Sequence, residues 1–194
     1  METDMTTAIR AEALAYLTSA LGEGAAGITV SGIDPTGSGP RVRWEIPRLS
    51  RPRASLEGAP DRALVAELVG RMLALRWQGS QAPREVPAES YLDLHETYPE
   101  IYTIPTETSR GWHWLLSALA EWMRDEGVPS GFESRQVKEK FGTLRFYASR
   151  SNTVSHMLRT AEWVSGSVCD ACGAPGSVRP GGWIRTACDE HAKR

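Results

Sequence analysis

The chain has 194 residues, 41% of them apolar and 24% charged, and a formal net charge of −2. This is enough chain for a sizeable core, in one domain or one domain with a small appendage. The charge balance gives no global attraction to nucleic acid or to a membrane surface, and no apolar run approaches the about 18 residues that a spanning helix needs.

The acidic N-terminus lacks the apolar core of a signal peptide. Residues 6–21 place Ile9, Ala13, Tyr16, Leu17, Ala20 and Leu21 on one stripe, which predicts a helix closed by Gly22. Gly27–Ile33 and Arg41–Ile46 alternate with period two and are joined by the turn-rich DPTGSGP, a hairpin signal. Those glycines do not form a phosphate-cradling loop, because no Gly-Lys-Ser/Thr follows them. Residues 47–60 have no apolar period and read as a solvated connector carrying Arg48, Arg51 and Arg53. Pro60 is expected to start a second helix, with Leu64, Val65, Leu68, Met72 and Leu75 on its apolar face. GSQAPREVPAES, residues 79–90, reads as a linker, which sets apart an N-terminal α-β-β-α unit over residues 1–80.

Residues 91–108 have no firm period but are too apolar for a free linker, so they are expected to lie on the core. A helix over 110–126, capped by Ser109, presents Trp112, Leu115, Leu116, Leu119, Trp122 and Met123 and stops at Gly127. Residues 132–149 alternate on both sides of Phe141-Gly142-Thr143 and predict an antiparallel hairpin. If Leu144 and Phe146 join Val137 and Phe141 in the core, then Lys138, Lys140, Arg145 and Tyr147 share the outer face. Basic side chains beside an aromatic ring suit a partner-binding surface, although a solvated outer face is the ordinary state of an antiparallel sheet. The stretch lacks the regular glycine and aromatic pattern of an RNA-recognition strand. Glu139 falls on the apolar face, where an unpaired carboxylate is costly; pairing with an arginine, a place near the edge and a functional role are the alternatives, and structural pairing is expected. Residues 151–167 form the last helix, completing a core unit over 91–167.

All three cysteines lie in the last 26 residues, where Cys169, Cys172, Cys188 and His191 form a C-x2-C-x15-C-x2-H pattern. Thiolates and a neutral imidazole at these spacings suit tetrahedral zinc. Residues 168–194 are too short to bury a useful core, so metal ligation must fold them, and four protein ligands make the ion structural. Cysteines committed to a metal suit a reducing compartment, so the cytoplasm is expected. A tight turn at Cys169–Gly173, a hairpin from Ser177–Arg179 and Trp183–Thr186, and a helix start at Cys188–His191 resemble a treble clef. The overall expectation is an α+β fold, helices packed on short antiparallel hairpins with this zinc unit at the end.

Gly111-Trp112 opening a helix, Val137–Tyr147 (VKEKFGTLRFY), Cys169-x2-Cys172-Gly173 and Gly182-Trp183 ahead of Cys188-Asp189-x-His191 together resemble a family of bacterial and phage proteins with no assigned activity. The likeness spans roughly residues 91–192 and leaves the first ninety outside it. It implies the same four zinc ligands, a shared signature at 138–147, and a bacterial or phage origin.

Catalysis finds little support. An HNH nuclease needs a histidine on the metal hairpin and a later asparagine, but SVRPGGWIRTA has neither and Asn152 is the only asparagine. Zinc deaminases need H-x-E ahead of P-C-x-x-C, which does not occur. Thiol catalysis would use a cysteine already claimed by metal. His95, His113 and His156 stand without evident partners and are expected to be structural. A non-enzymatic binding protein follows, with a protein partner expected and a nucleic acid held by the basic hairpin as the alternative. No small-molecule substrate or membrane partner is indicated.

Overall fold

A computed structural model describes residues 4–48 and 58–193 and gives an α+β fold. Helix α1 (Asp4–Leu21) buries Ile9, Ala13, Tyr16, Leu17 and Leu21, the stripe its sequence predicts. Strands β1 (Thr29–Asp34) and β2 (Arg41–Glu45) pair antiparallel. Arg48 is exposed, whereas Arg51 and Arg53 lie outside the described residues. Helix α2 (Arg62–Arg76) begins after Asp61, not at Pro60, because the Asp61 carboxylate accepts the Ala63 N–H at 2.7 Å. Its buried face centres on Val65, Leu68, Val69, Met72 and Leu73, with Leu64 and Leu75 at the flank.

The segment after the linker holds a helix that its sequence conceals. Helix α3 (Ser90–Thr97) has eight residues and buries only Ser90 and Leu94, too few for a helical period to register. Tyr98, Ile101 and Tyr102 then turn into the core, as the apolar content requires. Helix α4 (His113–Glu126) follows a 3-10 turn at Arg110–Trp112, and Ser109 makes no side-chain cap. Strands β3 (Glu133–Lys140) and β4 (Thr143–Ser149) form the central hairpin. Helix α5 (Ser155–Ser165) follows a 3-10 turn at Asn152–Val154, and the chain ends with the small hairpin of β5 (Ser177–Arg179) and β6 (Arg185–Ala187).

The three hairpins among the described residues stay separate two-stranded sheets, and one continuous apolar cluster joins the helices to β1–β2 and to β3–β4. It runs from Ile9 in α1 through α2 and α4 to Val164 and Val168, so residues of 1–80 and of 91–167 share one core. No helix among the described residues is long and apolar enough to cross a membrane.

Both edges of the β3–β4 hairpin are covered. On β4 the Leu144 N–H donates to Ser165 Oγ and the Phe146 N–H to Glu162 Oε1, each at 2.8 Å. On β3 the Glu107 N–H donates to the Val137 carbonyl at 2.7 Å, and the Glu139 N–H to the Glu107 carbonyl at 3.2 Å. Strand addition is thereby blocked on either side, and the outer face is the part of the hairpin left to solvent.

The turn that opens α4 is fitted to the C-terminal unit. The Gly111 N–H donates to the Asp170 carbonyl at 2.9 Å, and the indole N–H of the fully buried Trp112 donates to the Val168 carbonyl at 2.9 Å. A Cβ on Gly111 would stand 2.3–2.5 Å from backbone atoms of Cys169 and Asp170, so no larger residue fits without moving them. Gly111→Ala is therefore expected to lose about 1–3 kcal/mol. Thermal unfolding checks this, with a midpoint lowered by roughly 2–10 °C for a chain of this size.

Candidate metal centre and the adjoining hairpin

Cys169, Cys172, Cys188 and His191 converge on one point, their ligand atoms all within 4.8 Å of one another. The Cys188 and Cys169 sulfurs lie 3.2 and 3.7 Å from His191 Nδ1, and the Cys172 and Cys188 sulfurs are 3.9 Å apart. A tetrahedral ion with sulfur at ~2.3 Å and nitrogen at ~2.0–2.1 Å holds its donors about 3.5–3.8 Å apart. The four side chains fit such an ion.

Local backbone places each ligand. The Gly173 N–H donates to the Cys169 carbonyl at 2.9 Å and closes the first turn; the Cys169 N–H donates to the Ala174 carbonyl at 2.8 Å. After β6, the His191 and Ala192 N–H groups both donate to the Cys188 carbonyl, at 3.1 and 2.9 Å. This single helical turn brings His191 over Cys188, and among the described residues it does not extend into a helix.

Burial works against ionising Cys169, but the backbone N–H groups of Cys188, Ala171 and Cys172 outweigh it and hold this thiol below its usual pKa. Burial, together with the neighbouring Cys169 and Cys188 sulfurs, pushes Cys172 up to about 12. Three sulfurs this close cannot all ionise without a cation among them. A bound cation would relieve that conflict.

The ligand loop is bound into the body. Its carbonyls at Val168, Cys172, Gly173 and Gly176 accept from Trp112 Nε1, Arg76, the Tyr16 hydroxyl and Ser19 Oγ respectively. Arg76 is itself held by Glu12 at 2.7 Å. A cleft of about 830 Å³ runs past Cys172 and His191; of its four lining arginines, Arg76 and Arg185 are tied to Glu12 and Asp170, Arg84 lies over the Trp114 ring, and Arg110 is exposed.

The hairpin of β3 and β4 abuts this unit at its turn. Thr186 Oγ1, on β6, donates to the Gly142 carbonyl at 2.5 Å, and the Gly142 Cα faces the Arg185 backbone. Val137, Leu144 and Phe146 are buried as expected. Phe141 is not. It and Gly142 are the two central residues of a turn closed by Lys140 and Thr143, with φ of 53 and 77, and the Phe141 ring is 66% exposed. Strand alternation stops at Lys140, so it cannot be carried through the turn to Phe141. Among the described residues Glu139 pairs with no arginine; its Oε1 accepts the Gly142 N–H at 2.5 Å and pins the turn.

Lys138 and Arg145 face each other across the strands, Lys140 faces Thr143, and Tyr147 faces Gln136, so the expected basic and aromatic residues do share the outer face. The Lys138 and Lys140 ammonium groups lie 5.9 and 5.5 Å from the Tyr147 and Phe141 ring centres. Sequence patterning does not single out the roles of Phe141, Glu139 and Thr186. A two-residue turn ending in glycine between alternating strands is the one signal that could have found the first two.

The chain matches no protein-family model, no curated protein and no solved structure.

His113 has partners after all. Ser90 Oγ is 3.0 Å from its Nδ1 and an Asp93 carboxylate oxygen is 3.5 Å from its Nε2. The order resembles a nucleophilic triad, but Ser90 is 4% and His113 2% exposed, which leaves a substrate no approach to the hydroxyl. His95 Nδ1 meets the Tyr102 carbonyl at 2.6 Å, and His156 packs edge-on against Trp122. Burial, reinforced by Arg84 and opposed by Asp93, lowers the His113 pKa to about 4. The unfolded chain binds this proton near pH 6.5 and the folded chain only near pH 4, so stability is full above pH 6.5 and falls as pH drops toward 4. Denaturant titrations of wild type and His113→Gln at pH 7 and pH 4.5 isolate the effect. Wild type is expected to lose on the order of 2–3 kcal/mol more than the variant over that interval.

Proposed function

We propose that this chain is a zinc-stabilised binding protein without catalytic chemistry of its own. The observation that carries it is the closure of the Cys3His cluster: four protein donors, all within 4.8 Å of one another, would fill every position of a tetrahedral ion. Zinc fits this donor set of three thiolates and an imidazole, and a redox-inert ion suits a structural task. Cys169, Cys172, Cys188 and His191 would hold it; the chemistry it supplies is fixation of the loop. The order of knuckle, hairpin and helical turn supports a treble-clef-like unit. The motif spacing supports membership of the bacterial and phage family it resembles, and committed thiols support a cytoplasmic setting.

The contact surface is the outer face of the β3–β4 hairpin, with Lys138, Lys140, Arg145 and Tyr147. Across the whole chain the small net charge supports a protein partner. The face itself is locally cationic and aromatic, and this favours the second reading, a nucleic acid.

Metal analysis of the purified chain should return one zinc per chain. X-ray absorption at the zinc edge should then find three sulfurs at ~2.3 Å and one nitrogen at ~2.0–2.1 Å, with no oxygen ligand. A water oxygen in that shell would point to an open, catalytic site, and a folded chain free of metal would remove the structural role.

A further inference from the structure

The β3–β4 hairpin carries three features that cost the fold stability. Phe141 sits at φ 53, a left-handed conformation that suits glycine or asparagine and disfavours a bulky side chain. Its ring gains nothing from burial, being 66% exposed. Lys138 and Arg145 stand directly opposite each other, and like charges in that position weaken a sheet. Among the described residues no carboxylate pairs with Lys138, Lys140 or Arg145; Arg145 reaches only Thr143 Oγ1 and the Leu144 carbonyl. Local rules broken together at an exposed place mark a site shaped for something outside the fold.

The order along the face says what that is. Tyr147, 48% exposed, stands at one end and Phe141 at the other, with three cations between them. At about 3.3 Å per residue the two rings are on the order of 15 Å apart, room for a short run of nucleotides between two stacked bases. The turn rests on the Arg185 backbone of β6, and Trp183, two residues earlier in the chain, is 78% exposed.

We propose that this face binds single-stranded nucleic acid, with bases stacked on Phe141 and Tyr147 and phosphates held by Lys138, Lys140 and Arg145. The proposal rests on the reading of this face as the contact surface. An acidic protein would satisfy the cations and leave the rings in water. A duplex keeps its base faces stacked inside and offers the rings nothing. A single strand supplies both partners at once.

The test uses the full zinc-loaded chain and fluorescence anisotropy with three probes: a labelled oligo-dT of about 20 nucleotides, the matching duplex, and polyglutamate of similar length. Oligo-dT is expected to bind at least about tenfold more tightly than the other two, with a log–log salt slope near −2 for three neutralised phosphates. Phe141→Asn converts the turn to Asn-Gly, the pair it prefers, so the variant should fold with an unchanged or raised thermal midpoint. It should nevertheless bind oligo-dT about fivefold or more weakly, as loss of one stacked base requires. Lys138→Glu with Lys140→Glu should remove binding. Unchanged affinity in Phe141→Asn overturns the proposal. Equal binding of polyglutamate also overturns it, while leaving the face as a surface for an acidic protein. No binding of any probe overturns both the proposal and the reading beneath it.

Discussion

The loop from Val168 to Gly176 is where this molecule is joined. Four of its carbonyls accept side-chain donors from the body, Trp112, Arg76, Tyr16 and Ser19, and its Asp170 carbonyl accepts the Gly111 N–H. A surface loop ordinarily gives such groups to water. Here the dependence runs in both directions. The buried indole of Trp112 has the Val168 carbonyl as its partner, and a buried donor left unmade costs about 1–3 kcal/mol. A metal held by Cys169 and Cys172 would therefore act on the core of the whole chain, unlike the ion of an autonomous zinc finger, which folds only its own few residues.

What the sequence discloses divides by range. The ligand set is legible because C-x2-C and C-x2-H are local spacings that a single turn converts into convergence. The apolar stripes of α1, α4 and α5 are legible for the same reason, each repeating over several turns. Helix α3 is not, because two buried residues make no period. Nor is the joint between body and loop. Tyr16 and Gly173 are 157 positions apart, and no local pattern marks Gly111 as the place where another backbone passes within reach of a Cβ. Phe141 misleads for a different reason. Strand alternation assigns it to the core, and two consecutive residues of positive φ reverse the chain before the alternation reaches it.

Glu139 shows how one residue can look like a fault and be part of a device. On the inner face of β3 its carboxylate would be poorly placed as a core residue, and it meets no arginine among the described residues. It bends to the Gly142 N–H and fixes a turn whose first residue is strained. On the far side of that turn the Gly142 carbonyl takes the Thr186 hydroxyl. The turn is thus gripped at both the N–H and the carbonyl of its glycine, once from within the hairpin and once from the metal unit.

This grip ties the two candidate sites together. Thr186 and Cys188 belong to the same short run of chain, so the position of β6 follows from where Cys188 is held. Strand β6 in turn fixes the Gly142 carbonyl, and with it the angle at which Phe141 leaves the fold. The hairpin's edges are closed by Glu107 on one side and by Ser165 and Glu162 on the other, which leaves its outer face and its tip open. An exposed aromatic on a free hairpin would sample many directions and lose entropy on binding. Held from both sides, Phe141 is presented in one direction before any partner arrives. An ion held at Cys188 would bear on a partner at this face by this route, without touching it.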